Sequence, residues 1–98
     1  MAESPDVDVI IAAWSAQDTI DRAVRSALAE PHVARVVVVD DQSPDLTAEA
    51  AMACDDGTGR LLVLRQERNA GPSAARNRAI AACGSEWIAI LDSDDFFQ

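Results

Sequence analysis

The sequence predicts an α/β domain built on a parallel sheet with helices on both of its faces. Three observations lead to this fold class. Apolar strand-like runs alternate with helix-like segments in the order β-α-β-α-β-α-β. The run at 33–39 reads VARVVVV and barely alternates with polar residues, which is typical of a strand covered on both faces. Acidic and polar residues follow the strand-like runs directly, at the edge where sheets of this kind bind ligands.

The first strand and helix occupy the N-terminal third of the chain. Residues 7–14 form an apolar run that predicts a mostly buried strand, and residues 1–6 before it are expected to be flexible. The next segment carries apolar residues at helical spacing and ends before Pro31. This apolar helical face consists of Ile20, Ala23, Val24, Ala27 and Leu28.

A second helix and a third strand are predicted in the middle of the chain. Ser43 and Pro44 predict the start of this helix, because serine is a good N-cap and proline suits the first helical position. The helix is expected to run to about Cys54. A glycine-containing turn then leads to the third strand at 60–65.

The last helix and strand end in an acidic segment. An alanine-rich helix begins after the loop at 69–73 and is predicted to end at Gly84, a good C-terminal glycine. Residues 87–91 predict the fourth strand, and Trp87 is expected to fill the core between sheet and helices. The two phenylalanines at 96–97 are expected to be core residues that lack their packing partner.

Composition and missing motifs exclude several classes of function and indicate where the chain is located. The net charge of −9 argues against nucleic acid as a partner, because phosphate backbones need a basic surface. The chain lacks an 18-residue apolar run and an apolar leader, so a cytoplasmic location is expected. Cys54 and Cys83 lack metal-type spacing and are expected to be buried free thiols. Missing G-K-[ST] and G-x-G-x-x-G motifs exclude a P-loop nucleotidase and a dinucleotide oxidoreductase.

The acidic residues after the fourth strand predict a divalent-metal and nucleotide site. Asp92 and Asp94 are two residues apart on an extended segment, so they face the same point. Adjacent carboxylates repel unless a cation lies between them, and Mg²⁺ or Mn²⁺ accepts such oxygen ligands together with phosphate. The alternative interpretation is a solvated acidic turn.

Three further residues lie at predicted strand ends or the helix start beside them. After the second strand, one aspartate can cap the turn while Asp41 faces a ligand, although helix capping alone would also explain the pair. Arg76, near a helix N-terminus, suits a phosphate, and an ion pair with its acidic neighbours is an equally good interpretation. Trp14 can stack on a base or pack under the strand ends, and core packing is favoured.

Four segments, in this order, resemble the N-terminal half of family 2 glycosyltransferases of the GT-A fold. They read VIIAAWS, VVVVDDQS, NAGPSAARNRA and EWIAILDSDD, and the match runs from about residue 7 to 95. The resemblance implies a three-layer α/β/α domain with a mostly parallel, Rossmann-like sheet in the strand order 3-2-1-4. It also implies a nucleotide-diphospho-sugar donor, Mn²⁺ or Mg²⁺, and inversion at the anomeric carbon.

The resemblance also assigns roles to positions of this sequence. Ala12 and Trp14 would line the base pocket, although the family often has Tyr-Asn where this chain has Trp-Ser. Asp41 would contact the base. The remaining positions are Arg76 near the base or diphosphate, Asp92 toward the ribose or metal, and Asp94 as principal metal ligand.

The family's catalytic base and acceptor site lie in its C-terminal half. Residues 1–98 are therefore expected to be a single truncated domain without turnover, and no catalytic residue is named. The expected acceptor is a saccharide or lipid-linked saccharide in bacterial exopolysaccharide or other surface polysaccharide biosynthesis, with the full-length enzyme at the inner face of the membrane. Self-association is expected through the open edge of the fourth strand or the end at 96–97. The alternative function is a non-catalytic nucleotide- or metal-binding regulatory domain.

Overall fold

A computed structural model describes residues 6–97, and these form four strands and three helices in strict alternation. The elements are β1 Val7–Ala13, α1 Ile20–Leu28, β2 Val33–Asp40, α2 Thr47–Met52, β3 Leu61–Arg65, α3 Pro72–Ala81 and β4 Trp87–Ile90. The predicted order of elements is confirmed. The flexible segment predicted for residues 1–6 lies, except for Asp6, outside the described residues.

The four strands form one parallel sheet in the order β3-β2-β1-β4, as predicted. β2 and β3 lie on one side of β1, whereas β4 lies on its other side. The order in which strands are added to the sheet therefore changes direction beside β1. The carboxyl ends of all four strands meet at one edge of this sheet, and the loops that follow them are brought together there.

The sheet separates two apolar cores. Side chains of β1 and β2 alternate between them: Val9 and Val36 face α1 and α2, while Ile10 and Val37 face α3. The four successive valines of β2 are completely buried. This explains why the strand shows no polar alternation, since both of its faces are covered.

The third helix approaches the sheet through small side chains. Ala75 and Ala79 of α3 are fully buried against β1 and β2. An alanine at each of these positions leaves no bulky group between helix and sheet, so the start of α3 lies close to the ends of the two central strands.

The second helix begins at Thr47, so the predicted start at Ser43 and Pro44 is wrong. The Ser43 backbone N–H and hydroxyl both donate to Asp40 Oδ1, which makes Ser43 part of the turn that ends β2. Asp45 Oδ1 accepts the Thr47 N–H at 3.1 Å, and the helix starts there. The prediction failed because a serine caps a turn as readily as a helix.

The third helix does not end at Gly84, so the predicted helix end is wrong. The helix ends at Ala81, and the residues with left-handed φ include Gly57, Gly59 and Gly71 but not Gly84. Instead, the Gly84 N–H donates to Asp8 Oδ2 at 2.9 Å. The glycine belongs to the turn that leads into β4.

The fourth strand is exposed, and the prediction that Trp87 fills the core is wrong. The Trp87 side chain is 55% exposed, because it lies at the open edge of the sheet on the face of α1 and α2, and these helices pack against β2 and β3. Phe97 packs partly against the core, whereas Phe96 is exposed under the Arg22 guanidinium. Both cysteines are free, Cys54 is buried as predicted, and Cys83 is only half-buried.

In the part of the chain that the structure describes, no helix is long and apolar enough to cross a membrane.

Candidate functional site

Two adjoining pockets lie at the edge where the strands end. The first, here called the Asp41 pocket, has a volume of about 480 Å³, and the second, the Asp94 pocket, about 450 Å³. Both are lined by Ala12, Trp14 and Pro72. The other lining residues of the Asp41 pocket are Ala13, Asp41, Asn69 and Gly71, and those of the Asp94 pocket are Ser15, Ala16, Thr19, Arg76, Asp92, Ser93 and Asp94. All sequence-predicted site residues therefore line one of the two pockets.

Trp14 stands at the boundary of the two pockets and is 55% exposed, so the favoured interpretation of core packing is wrong. It follows the last residue of β1, and Ser15 after it has a left-handed φ of 50°. The backbone turns there before any helix covers the indole ring. An exposed aromatic ring beside two pockets is suited to stacking on a planar ligand.

The loop that carries Trp14 is held by two buried hydroxyl groups, one from Ser43 in the loop after β2 and one from Thr47 at the start of α2. Ser43 Oγ accepts the Ser15 N–H and Thr47 Oγ1 accepts the Ala16 N–H, both at 2.9 Å. Sequence reasoning treated Ser43 only as a helix cap and missed Thr47. No local pattern identifies these partners, since the two backbone N–H groups lie 28 and 31 residues away along the chain.

The two aspartates after β2 have different partners. Asp40 is buried beneath the turn, where its Oδ1 accepts bonds from Ser43 and its Oδ2 lies 3.6 Å from Arg65 Nε. Asp41 lines the pocket that bears its name, and its two oxygens accept the N–H groups of Ala70 and Gly71 at 3.0 and 2.9 Å. Asp41 thus anchors the loop before α3, whereas Asp40 holds the turn after β2, so helix capping alone does not explain the pair.

The Asp94 pocket brings a guanidinium and two carboxylates to one cavity. Arg76 Nε is buried and has no hydrogen-bond partner among the described residues. Within residues 6–97, Arg76 forms no ion pair with an acidic side chain. The structure therefore does not support the interpretation that Arg76 serves to neutralise its acidic neighbours. A buried donor without an acceptor is costly, so this N–H is available to an oxygen acceptor in the pocket.

Asp92 and Asp94 are exposed on the turn after β4. Across the described residues, no group of three or more His, Cys, Asp or Glu side chains could hold a metal ion. Two carboxylates alone fit a Mg²⁺ or Mn²⁺ ion that takes its remaining oxygen ligands from phosphate groups and water.

Comparison with known proteins agrees with this geometry. The sequence profile described as glycosyl transferase family 2 matches residues 8–98. The succinoglycan biosynthesis protein ExoU of Rhizobium meliloti is 60% identical over 96 residues, which are 98% of this chain and 28% of ExoU. The Escherichia coli UDP-Glc:α-D-GlcNAc-diphosphoundecaprenol β-1,3-glucosyltransferase WfaP is 34% identical over 92 residues, or 93% of this chain and 36% of WfaP.

Solved structures share the fold. Staphylococcus aureus TarS 1-349 in complex with UDP-GlcNAc superposes with a TM-score of 0.83 and 28% identity over 93% of this chain and 27% of that chain. The chain thus spans about a quarter to a third of the length of these relatives. With a family profile that matches residues 8–98, the chain belongs to glycosyl transferase family 2 and has its GT-A fold.

Proposed function

We propose that this chain binds the nucleotide-diphospho-sugar donor of a glycosyltransferase that works in exopolysaccharide or other surface polysaccharide biosynthesis. The observation that carries the proposal is the pair of adjoining pockets at the carboxyl edge of the sheet. They join an exposed indole, a buried aspartate, a guanidinium and a pair of carboxylates. The name of ExoU and the UDP-GlcNAc complex of TarS support the same function.

The Asp41 pocket would take the nucleotide base. Trp14 offers a flat, exposed ring for stacking, and the small side chain of Ala12 leaves room at the shared boundary of the pockets. Asp41 accepts an N–H or hydroxyl of the base or ribose. Each carboxylate oxygen has two lone pairs, so the bonds from Ala70 and Gly71 leave one free on each oxygen and fix its direction.

The Asp94 pocket would take the diphosphate and the metal. Asp94 is the principal ligand of Mn²⁺ or Mg²⁺, and Asp92 contacts the same ion or the ribose. When bound, this ion would neutralise charge on the leaving diphosphate. Arg76 donates from its guanidinium to the base or to diphosphate oxygens, a geometry that its planar fork favours.

We further propose that the 98-residue chain binds its donor without transferring the sugar. In family 2 we expect a single displacement with inversion, which needs a carboxylate base beside an acceptor hydroxyl. Among the described residues, the acidic side chains that line the two pockets are Asp41, Asp92 and Asp94, and all three serve the donor. No residue here is assigned as the base.

The acceptor is proposed to be a saccharide or lipid-linked saccharide, since the name of WfaP specifies a diphosphoundecaprenol-linked sugar. An enzyme that uses a nucleotide sugar and a lipid-linked acceptor works at a membrane surface. We therefore propose a cytoplasmic location, at the inner face of the membrane for the whole enzyme.

Calorimetric titration with UDP, with and without Mn²⁺, tests donor binding. We expect Mn²⁺ to strengthen UDP binding, and Asp94→Asn to weaken it about tenfold or more in the presence of Mn²⁺, which is about 1.4 kcal/mol. Asp95→Asn is the matched control, because Asp95 carries the same charge on the same turn but lines neither pocket. Its affinity should stay close to that of the wild type.

The same titration separates the two candidate functions. UDP binding that is equal with and without Mn²⁺, and unchanged in Asp94→Asn, would favour the non-catalytic regulatory domain over the transferase. UDP binding that is absent under all conditions would contradict both a UDP-sugar donor and a UDP-binding regulatory domain.

A further inference from the structure

A third concavity lies outside the donor pockets and is rich in arginine. It has a volume of about 410 Å³ and is lined by Arg65, Gln66, Glu67, Arg68, Ala70 and Arg78, and we call it the arginine pocket. Three of the chain's eight basic residues meet there beside a single acidic one, although the whole chain carries a net charge of −9. The local excess of positive charge is therefore opposite in sign to the molecule as a whole.

Two of these arginines are held in place by neighbouring oxygens. Arg78 Nη1 donates to the Arg65 carbonyl at 2.9 Å and to Gln66 Oε1 at 2.8 Å. Arg65 Nη2 donates to the Ser43 carbonyl at 3.2 Å. A guanidinium has five N–H donors, so these contacts orient both groups and leave several donors free.

Acidic side chains neutralise the charges in this pocket only in part. Within residues 6–97, Arg65 has one ion pair, with Asp40, while Arg68 and Arg78 have none. Free guanidinium forks close together are suited to an oxyanion with several oxygens, and phosphate offers both the charge and the geometry for bidentate bonds.

The arginine pocket is separate from the donor pockets. It shares no lining residue with the Asp41 pocket or with the Asp94 pocket. Along the loop before α3, Asn69 and Gly71 line the Asp41 pocket, whereas Arg68 and Ala70 line the arginine pocket. Successive residues of this loop therefore face opposite sides, and a donor in the Asp41 pocket leaves the arginines free.

We propose that the arginine pocket binds a phosphate group of a second ligand, distinct from the nucleotide-sugar donor. The phosphate can belong to a soluble molecule or to a phospholipid headgroup. Because the pocket is exposed, binding is expected to weaken as ionic strength rises. The proposal does not depend on donor binding.

Inorganic phosphate is the first probe, and amide chemical shifts in NMR report where it binds. With UDP present to fill the donor site, we expect saturable shifts at residues 65–70 and at Arg78. The double variant Arg68→Gln, Arg78→Gln should bind phosphate about tenfold more weakly. The control Arg22→Gln, Arg25→Gln removes the same charge from the exposed face of α1 and should bind like the wild type.

Vesicles then distinguish the source of the phosphate. A phospholipid ligand predicts that vesicles containing phosphatidylglycerol retain the wild type and the control but not the Arg68→Gln, Arg78→Gln variant, and that pure phosphatidylcholine retains none. Saturable phosphate shifts without vesicle retention identify a soluble ligand. Phosphate shifts and vesicle retention that are absent, or equal in both double variants, would overturn the proposal. UDP affinity in the same variants reports the donor site independently.

Discussion

At the scale of single residues, two buried hydroxyl groups organise the donor pockets. Ser43 and Thr47 are almost completely buried, and each accepts a backbone N–H from the loop that carries Trp14. These bonds compensate for the left-handed backbone at Ser15, where an L-residue is disfavoured. Because the Trp14 ring is held in place before a ligand binds, binding has a smaller entropic cost. We therefore assign the two hydroxyl groups a positioning role.

Replacing Thr47 with valine should expose this role. Valine keeps the shape of threonine but leaves the buried Ala16 N–H without an acceptor and removes the hydroxyl that donates to Asp45, which together cost about 1–3 kcal/mol in the free energy of unfolding. We expect UDP affinity to fall as well, because the Trp14 loop is released. Urea unfolding and UDP titration measure the two effects.

Thr58→Val is the matched control, since the Thr58 hydroxyl makes its bonds to Asp56 and Arg60 within an exposed turn and Thr58 lines neither donor pocket. It should change the free energy of unfolding by less than about 0.5 kcal/mol and leave UDP affinity unchanged. Equal effects of the two substitutions would mean that the Thr47 bond does not position the loop.

Asp8 ties the start of β1 to the turn before β4. Its carboxylate accepts the N–H groups of Gly84 and Ser85 and the Ser85 hydroxyl. Burial raises the pKa of Asp8, but these bonds, with the nearby charge of Arg35, outweigh it and lower the pKa below the ordinary value of 3.8. A lowered folded-state pKa stabilises the fold above 3.8, and this stabilisation disappears as the pH falls through the folded-state value.

Asp8→Asn should therefore remove a part of the acid sensitivity. The asparagine oxygen can accept both backbone N–H groups, while its NH₂ donates to the Ser85 hydroxyl, which can rotate. We expect the wild type to be more stable than Asp8→Asn at neutral pH, and the difference to shrink below pH 3.8. Urea unfolding at a series of pH values measures it, and a difference that is constant with pH would contradict the assignment.

At the scale of secondary-structure elements, the sequence predicts what depends on local pattern. The face of α1, the valine run of β2 and the alternation of strands and helices were all predicted correctly, because each is written in the spacing of its own apolar residues. The strand order 3-2-1-4 came from the family resemblance. Since parallel strands end at one edge, the convergence of Asp41, Asp92 and Asp94 could also be expected.

Elements were mispredicted where the answer depends on a distant neighbour. Trp14 directly follows β1 and Trp87 begins β4. Whether a helix covers either side chain depends on the tertiary structure, and both are exposed. The start of α2 was mispredicted for a local reason instead, because Asp40 and Ser43, three residues apart, form a turn before the helix. No sequence pattern showed that Asp41 bonds to the loop before α3, since its partners are backbone groups 29 and 30 residues away.

At the scale of the whole molecule, two features have opposite effects on self-association: the apolar edge strand β4 and the net charge of −9. Ile88 and Ile90 pair with Asp8 and Ile10 of β1 and lie on the same face as α3, whereas Trp87 lies on the opposite face. All three are at least 40% exposed, so β4 presents apolar side chains on both faces, while Ala89 packs partly against the core. Such a strand attracts another chain, while the charge of −9 drives copies apart.

We therefore predict that the 98-residue chain self-associates through β4, and more strongly at high salt. Screening weakens the repulsion between copies but leaves apolar burial intact. Ile90→Lys should shift the chain toward monomer, because a lysine at this edge disfavours pairing. Met52→Lys is the control, since Met52 is similarly exposed but lies on α2. Sedimentation velocity over a range of concentrations measures the outcome. A wild type that stays monomeric at high concentration and high salt would contradict the prediction, and equal association of all three chains would place the contact elsewhere than β4.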